Sequence, residues 1–168
     1  MPWFSVRTIS TSTVPVESDE LWKIITDPRE LAALTPLVRS IDASGNQWVW
    51  RLNGLEALGV SIEAVFTERM RFTDGRQIVF THEPPGDKHE RAGVEGIYDL
   101  TPANQDATDL RIDLTLAVEL PLPRLAAPAV DRAIRSTMHA TGHRFAHNLY
   151  ERLGLDPSTA TITHLPVP

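Results

Sequence analysis

Four polar side chains share the phase of the apolar positions in the predicted strands, and their types could do chemistry. They are Arg39, Glu68, His82 and Tyr98. A carboxyl group buried beside aromatic rings has a raised pKa, and an imidazole or a phenol can act as a general acid or base. An apolar pocket with a few such groups orients a bound ligand. We therefore predict Glu68, His82, Tyr98 and Arg39 as the candidate catalytic residues of an apolar cavity.

A structural interpretation of the same four residues is also open. A β-bulge would turn Glu68 toward solvent. Arg39 closely follows Pro36 and would lie at the rim of the sheet with only its stem buried. His82 borders the polar loop 83–90, and Tyr98 would be a core residue with its hydroxyl at the edge. Arg39 and Glu68 could also form a structural ion pair. The sequence leaves both interpretations standing.

Large apolar side chains in the same phase would form the walls of this cavity. The candidate ligand-binding residues are Trp48, Trp50, Phe66, Met70, Phe80, Leu114, Met138 and Phe145. Trp48 and Trp50 lie on one face of their strand. They serve either as walls suited to a flat, aromatic ligand or as ordinary core residues.

Three histidines form a stripe on the predicted C-terminal helix. His139, His143 and His147 follow an i, i+4, i+8 spacing, which is workable for metal ligands. At about 100° per residue the stripe lies nearly opposite the apolar face, so it is predicted to point away from the sheet. No Asp or Glu lies between these histidines to complete a ligand set. This pattern favours a solvated face or a homodimer contact over a metal site.

Composition excludes several classes of function. The chain has 168 residues, a length typical of one domain, and no cysteine, so thiolate metal sites and cysteine nucleophiles are absent. No glycine pattern for phosphates and no nucleophile elbow occur, so no cofactor is predicted. A net charge of −6 argues against nucleic acid as a partner. No apolar run reaches the ~20 residues of a membrane span, and the first residues do not resemble a leader, so we expect a cytoplasmic protein.

The elements that must position these residues follow from the hydrophobic pattern. Residues 3–14 alternate as a strand, and two short helices follow, the second starting at Asp27 and Pro28. Strands and turns continue to residue 120, and a long amphipathic helix runs from about Leu125 to Leu153. A curved antiparallel sheet cannot leave its apolar face bare, so the long helix is expected to lie across it.

The first hairpin of the sheet is predicted to turn at residues 45–46. A two-residue loop there places Trp50 opposite Ile41 and Leu52 opposite Arg39. The apolar side chains then share one face, which supports this register and turns Arg39 inward.

The second hairpin is predicted to turn through a three-residue loop with Gly75 in the left-handed conformation. This register places Met70 opposite Ile78 and Glu68 opposite Phe80. We prefer it to a two-residue loop because it collects the apolar side chains on one side, namely Val60, Ile62, Ala64, Phe66, Met70, Phe72, Ile78 and Phe80.

Three segments carry a resemblance to a known family. They are the opening strand running into VPVESDELWKIITDPREL (residues 14–31), the segment VEGIYDLTP (residues 94–102), and the C-terminal helix. Over about residues 3–153 the chain resembles the START-like superfamily, also called Bet v 1-like, SRPBCC or helix-grip. It looks most like the bacterial polyketide cyclase/dehydrase and lipid-transport group. The superfamily includes lipid carriers, hormone receptors and aromatase/cyclases, so the resemblance implies a hydrophobic-ligand cavity and not one activity.

Together, the residues and the resemblance predict an α+β helix-grip domain over residues 1–154. A curved, seven-stranded antiparallel sheet would wrap around a long C-terminal helix, with two short helices after the first strand. Residues 155–168 are predicted to be a poorly ordered tail. The predicted function is binding of a small hydrophobic or aromatic ligand, lipid-like or polyketide-like. A cyclase/dehydratase-like enzyme is the alternative, and an interaction module using the outer helix face is a third hypothesis.

Overall fold

A computed structural model describes all of residues 1–168, and the chain forms ten strands and three α-helices. In chain order the elements are β1 (Trp3–Val14), α1 (Ser18–Ile25), α2 (Pro28–Leu34), β2 (Val38–Ser44), β3 (Gln47–Leu52), β4 (Leu55–Ala57), β5 (Val60–Ile62), β6 (Val65–Thr73), β7 (Gln77–His82), β8 (Ala92–Asn104), β9 (Ala107–Glu119), α3 (Ala127–Arg152) and β10 (Thr163–Leu165). Short 3-10 turns lie at Arg124–Ala126 and Pro157–Thr159.

Eight of the strands form one antiparallel sheet, in the order β10-β1-β9-β8-β7-β6-β3-β2. The predicted α+β class, with a large antiparallel sheet and a long C-terminal helix, is confirmed. The predicted number of seven strands is wrong, because the main sheet has eight strands and two further strands form a separate pair. β4 and β5 pair with each other outside the main sheet, where Leu58 turns the chain back with a φ of 51°. The eighth strand of the main sheet, β10, comes from the C-terminal segment.

The C-terminal segment carries regular structure where the sequence predicts none. Its strand β10 pairs antiparallel with β1, with Ile9 opposite Leu165 and Thr11 opposite Thr163. The Asp156 carboxylate caps the 3-10 turn at Pro157–Thr159 by accepting a hydrogen bond from a backbone N–H. The pairing has a simple physical cause, because β1 would otherwise be an edge strand with unpaired backbone groups. The assignment of residues 1–154 to a single domain stays a prediction.

The register of the first hairpin is confirmed near its turn and changes further along. Trp50 lies opposite Ile41, as predicted, but Leu52 lies opposite Val38 and not opposite Arg39. A bulge between Val38 and Ser40 takes Arg39 out of the ladder. A bulge adds one residue to one strand, so the inward phase predicted for Arg39 is lost.

The second hairpin has the predicted left-handed Gly75, with a φ of 69°, but its register differs by two residues. Met70 lies opposite Phe80, and Glu68 lies opposite His82. Side chains alternate with a period of two, so a shift of two residues leaves every side chain on its predicted face. Glu68 therefore still points inward.

Helix α3 lies across the inner face of the sheet and supplies much of the core. Its buried residues are Val130, Ile134, Phe145, Ala146, Leu149 and Tyr150. Each large apolar side chain buried in this way contributes roughly 1.5–3 kcal/mol. The Tyr150 hydroxyl donates to the Thr13 carbonyl at 3.2 Å, which ties the helix to β1. None of the helices is both long enough and apolar enough to cross a membrane.

Gly142 lies inside α3, and nothing around it requires a glycine. An added Cβ would lie 3.9 Å from Ile162 Cδ1, an ordinary van der Waals separation. A glycine inside a helix is less stable than alanine, so we expect Gly142→Ala to raise the free energy of unfolding by about 0.5–1 kcal/mol. Urea unfolding followed by circular dichroism measures this change.

Gly96 is the control for that prediction, because an added Cβ has no room there, in contrast to Gly142. A Cβ at Gly96 would overlap the backbone of Asp113 and Leu114 on the neighbouring strand. We therefore expect Gly96→Ala to lower the free energy of unfolding by about 1–3 kcal/mol. A Gly142→Ala variant that is less stable than the wild type would contradict the open surroundings described for Gly142.

Candidate functional site

A cavity of about 220 Å³ lies between the inner face of the sheet and α3. Most of its walls are apolar, and they include seven of the eight predicted ligand-binding residues: Trp50, Phe66, Met70, Phe80, Leu114, Met138 and Phe145. An engineered apolar cavity of about 150 Å³ binds benzene. The cavity described here is therefore large enough for a molecule of one or two aromatic rings.

The cavity exists because one strand presents small side chains where its neighbours present large ones. In the inward phase of β1, Val6 and Val14 are buried, but the positions between them are Thr8, Ser10 and Ser12. These three residues line the cavity. The short side chains leave a space that the large residues of β6, β7 and β9 do not fill. The run of short polar side chains at alternating positions of β1 is visible in the sequence.

Glu68 is the most deeply buried charged residue of the cavity. It lies on β6 with 2% of its surface exposed, and its Oε2 atom has no hydrogen-bond partner. The indole Nε1 of Trp50 lies near this carboxyl group but makes no hydrogen bond with it, and it is also buried without a partner. Burial raises the pKa of Glu68 well above its ordinary value, and the nearby Trp50 N–H offsets only part of this rise. The carboxyl group therefore favours its protonated, neutral form.

Tyr98 lies on β8 and lines the same cavity as Glu68. Its ring packs edge-on against Phe80, with the ring centroids 5.2 Å apart. Burial, and then the negative charge that Glu68 can carry, raise the pKa of the Tyr98 phenol. The phenol therefore keeps its proton and can donate a hydrogen bond. Glu68, Tyr98 and the Trp50 N–H are therefore polar groups on the wall of a mostly apolar cavity.

His82 does not line the cavity, which differs from the sequence prediction. It is the last residue of β7, and its Nε2 lies 2.9 Å from Glu90 Oε2. The Glu90 carboxylate also accepts hydrogen bonds from the backbone N–H and the hydroxyl of Thr67. The His82 ring covers Gly93, where an added Cβ would overlap it. His82 thus fastens the loop after β7 to β6 and β8.

Arg39 also lies outside the cavity. The bulge in β2 turns it to the surface, where its side chain is 54% exposed and lies 3.6 Å from Glu63. It therefore makes no ion pair with Glu68, the structural alternative that the sequence left open. Trp48 is buried but does not line the cavity; it packs against Trp50 and Phe72.

The predicted orientation of the histidine stripe on α3 is wrong in part, because two of its three histidines contact the C-terminal segment. His139 stacks on His164 of β10 with 3.8 Å between ring centroids, and His143 Nε2 lies 3.3 Å from His164 Nε2. His139 and His164 also line the cavity. His147 lies apart, with its Nδ1 3.9 Å from Glu151. No three histidine, aspartate or glutamate side chains are arranged to share a metal ion.

The sequence analysis missed the two cavity residues of the C-terminal segment, Ile162 and His164. The available signal was the β-branched run Thr161, Ile162 and Thr163, which favours a strand. The surrounding prolines outweighed it. Pairing with β1 decides the outcome, and that pairing is not visible in the sequence of the segment itself.

Known proteins resemble this chain in structure, but their sequences differ widely from it. No protein-family model matches the sequence, and no curated protein matches it. A conserved protein from Geobacillus kaustophilus superposes with a TM-score of 0.68 at 15% identity, over 94% of this chain and 99% of that one. A START superfamily protein from Mycobacterium smegmatis gives 0.60 at 20% identity, over 86% and 96%. The Zhui aromatase/cyclase from Streptomyces sp. R1128 gives 0.55 at 16% identity, over 89% and 90%. At these identities the likeness concerns the fold.

Proposed function

Starting from the START-like helix-grip fold of this chain, we propose that it binds a small, uncharged aromatic or hydrophobic molecule between the sheet and α3. The observation that carries this proposal is an apolar cavity of about 220 Å³ with two unpaired polar atoms in its wall, Glu68 Oε2 and Trp50 Nε1. Cavities of this kind, with few polar groups, are typical of small-molecule sites. The volume favours a compact molecule, such as one or two rings of a polyketide, over a long-chain lipid.

The unpaired polar atoms indicate what the ligand carries. A buried polar group without a hydrogen bond costs about 1–3 kcal/mol, and a ligand atom that pairs with it recovers much of this cost. The Trp50 N–H and a protonated Glu68 are both donors, so they suit a carbonyl or hydroxyl oxygen. A ligand carboxylate beside Glu68 would need a compensating cation, and the only arginine predicted for the cavity, Arg39, lies outside it.

Three matched probes test this recognition. We expect 2-naphthol to bind about 10- to 100-fold more tightly than naphthalene, because its hydroxyl pairs with Glu68 and Trp50. We expect 2-naphthoate to bind more weakly than 2-naphthol, because its charge meets an apolar cavity and an acidic side chain. Isothermal titration calorimetry measures the three affinities.

Arg39→Ala serves as the matched control because Arg39 was predicted to face the cavity but lies on the surface. It should leave all three affinities unchanged. Equal affinities for 2-naphthol, naphthalene and 2-naphthoate would contradict a polar recognition site. Native mass spectrometry of the purified protein would show in addition whether a ligand of this class is already bound.

An enzymatic role in the same cavity is a second candidate, and one observation favours it. Glu68 and Tyr98 line one cavity, and a carboxylate with a raised pKa is a stronger base than an ordinary carboxylate. Two structural neighbours are named as aromatase/cyclases, the Zhui protein and the di-domain protein StfQ. Cyclisation of a polyketide needs enolisation of a ketone, which is the removal of a proton next to a carbonyl group.

The ketone 2-tetralone separates the two roles. In an enzyme, the fraction of Glu68 that has lost its proton would act as the base and take a proton from the carbon next to the carbonyl, and the Tyr98 hydroxyl would donate a hydrogen bond to the developing enolate oxygen. In deuterium oxide the reverse step returns a deuteron to carbon, which NMR detects. Enzymatic exchange should disappear in Glu68→Gln. A pure binding protein should exchange 2-tetralone at the rate of the buffer.

A further inference from the structure

The C-terminal segment forms part of the cavity wall between β1 and α3. Residues 160–165, which we name the strap, run along β1, and their side chains Ile162 and His164 line the cavity between β1 and α3. The strap is held by a three-residue strand, by one side-chain hydrogen bond from Ser12 Oγ to the Thr161 carbonyl, 2.7 Å long, and by the packing of Ala160 against the core. Elements with so few bonds open at a low free-energy cost compared with the core.

Three imidazole rings fasten the strap to α3. We name His139, His143 and His164 the histidine latch. His164 stacks on His139 at 3.8 Å, and its Nε2 lies 3.3 Å from His143 Nε2. A hydrogen bond between two imidazole nitrogens needs one donor and one acceptor, so at least one of the two rings is uncharged when this bond exists. Protonation of both rings replaces the bond by repulsion.

The charged groups around the histidine latch do not offset such repulsion. On α3 the nearest is Arg135, which is paired with Asp131 and donates to the Arg7 carbonyl of β1. Arg7 is in turn paired with Asp113 of β9, which also faces Arg111. In the C-terminal segment, the Asp156 carboxylate is used in capping its own turn. No carboxylate forms an ion pair with a latch ring.

We propose that the strap is a lid over the ligand cavity, and that protonation of the histidine latch opens it. The neutral rings hold the strap on α3, and their charged forms repel one another and Arg135. Burial and the neighbouring rings lower the pKa of His139 and of His164 below 6.5, and Arg135 also contributes to the lowered pKa of His139. The closed state is therefore stable above this value and loses stability as pH falls from it toward the lowered pKa values. The ligand exchange that the lid controls rests on the proposed function, but the opening itself does not.

Hydrogen exchange of the ligand-free protein tests the opening. In the wild type we expect protection of the backbone amides in residues 163–165, corrected for intrinsic exchange, to fall about tenfold or more between about pH 7.5 and 5.5. In His164→Phe the ring still stacks but cannot be protonated, so protection should change less than about twofold over that range. His147→Gln is the matched control on α3, since His147 lies outside the latch, and should behave as the wild type.

Several results would overturn the proposal. The proposal is wrong if the protection of the strap in the wild type does not depend on pH. It is also wrong if His164→Phe loses as much protection as the wild type when pH falls. If the strap of His164→Phe is unprotected even at the higher pH, His139→Phe is used in its stead, and its protection should likewise change less than about twofold over the pH range. If protection rises with added Zn²⁺ and does not depend on pH, the three histidines bind a metal ion and the proposed pH-dependent lid is contradicted.

The dissociation rate of 2-naphthol tests the consequence for the ligand. We expect stopped-flow tryptophan fluorescence to show dissociation about tenfold faster at about pH 5.5 than at 7.5 in the wild type, and less than about twofold faster in His164→Phe. Glu68 titrates equally in both proteins, so the difference between them reports the latch. If the strap opens as pH falls but 2-naphthol does not bind, the proposed function is contradicted and the lid is not. If 2-naphthol binds but neither the protection of the strap nor the dissociation rate depends on pH, the lid is contradicted.

Discussion

Leu114→Trp is expected to weaken the binding of 2-naphthol by about 100-fold, or about 2.7 kcal/mol. Leu114 lies on β9 and lines the cavity, so a larger indole ring at this position occupies the space that the ligand needs. The variant should fold at least as stably as the wild type, because filling a void recovers contacts that a cavity lacks. Calorimetry measures the affinity, and urea unfolding measures the stability.

The matched control for this variant is Val65→Trp. Val65 is on β6 of the same sheet but is exposed on its outer face, so the same side chain adds no volume to the cavity. Its affinity for 2-naphthol should equal that of the wild type. Wild-type affinity in a correctly folded Leu114→Trp would place the ligand elsewhere and contradict the cavity as the site.

Glu68→Gln is expected to stabilise the ligand-free protein by about 3 kcal/mol at about pH 8.5, the scale of an uncompensated buried charge. The pKa of Glu68 is higher in the folded chain than in the unfolded chain. The unfolded chain therefore loses this proton first as pH rises above about 4.5, and stability falls from there upward. Glutamine has nearly the same shape and no charge, so it removes this loss. At or below the unfolded pKa the two proteins should have nearly equal stability.

Urea unfolding of both proteins across the pH range measures this difference. Glu63→Gln is the control, because Glu63 is exposed at the surface beside Arg39, and its replacement should not change the pH dependence. A stability difference between Glu68→Gln and the wild type that does not vary with pH would contradict the buried, neutral carboxyl group.

The predictable part of the site comes from periodicity. Glu68 and Tyr98 each lie in phase with apolar neighbours, and that phase survives even an error of two residues in the β6–β7 register. Most of the cavity walls follow in the same way, because strand alternation determines which face a side chain takes. The long helix is equally clear, since its apolar stripe and Gly154 mark its face and its end.

The unpredictable part depends on single residues that break a period or on partners far away in the chain. Arg39 left the inward phase because one extra residue bulges out of β2. His82 kept its phase, but β7 ends there and Glu90 holds its ring. His164 reached the cavity only because β1 had a free edge 150 or so positions earlier in the chain, as its pairing with Ser10 shows. Local patterns cannot report such long-range pairings.

A crystal structure of the protein grown with 2-naphthol tests the central claim most directly. We predict that the ring system lies between Phe66 and Met138, with its hydroxyl oxygen about 3 Å from Glu68 or from Trp50 Nε1, a hydrogen-bond distance. A structure in which the cavity stays empty and the naphthol lies on the outer surface would contradict it.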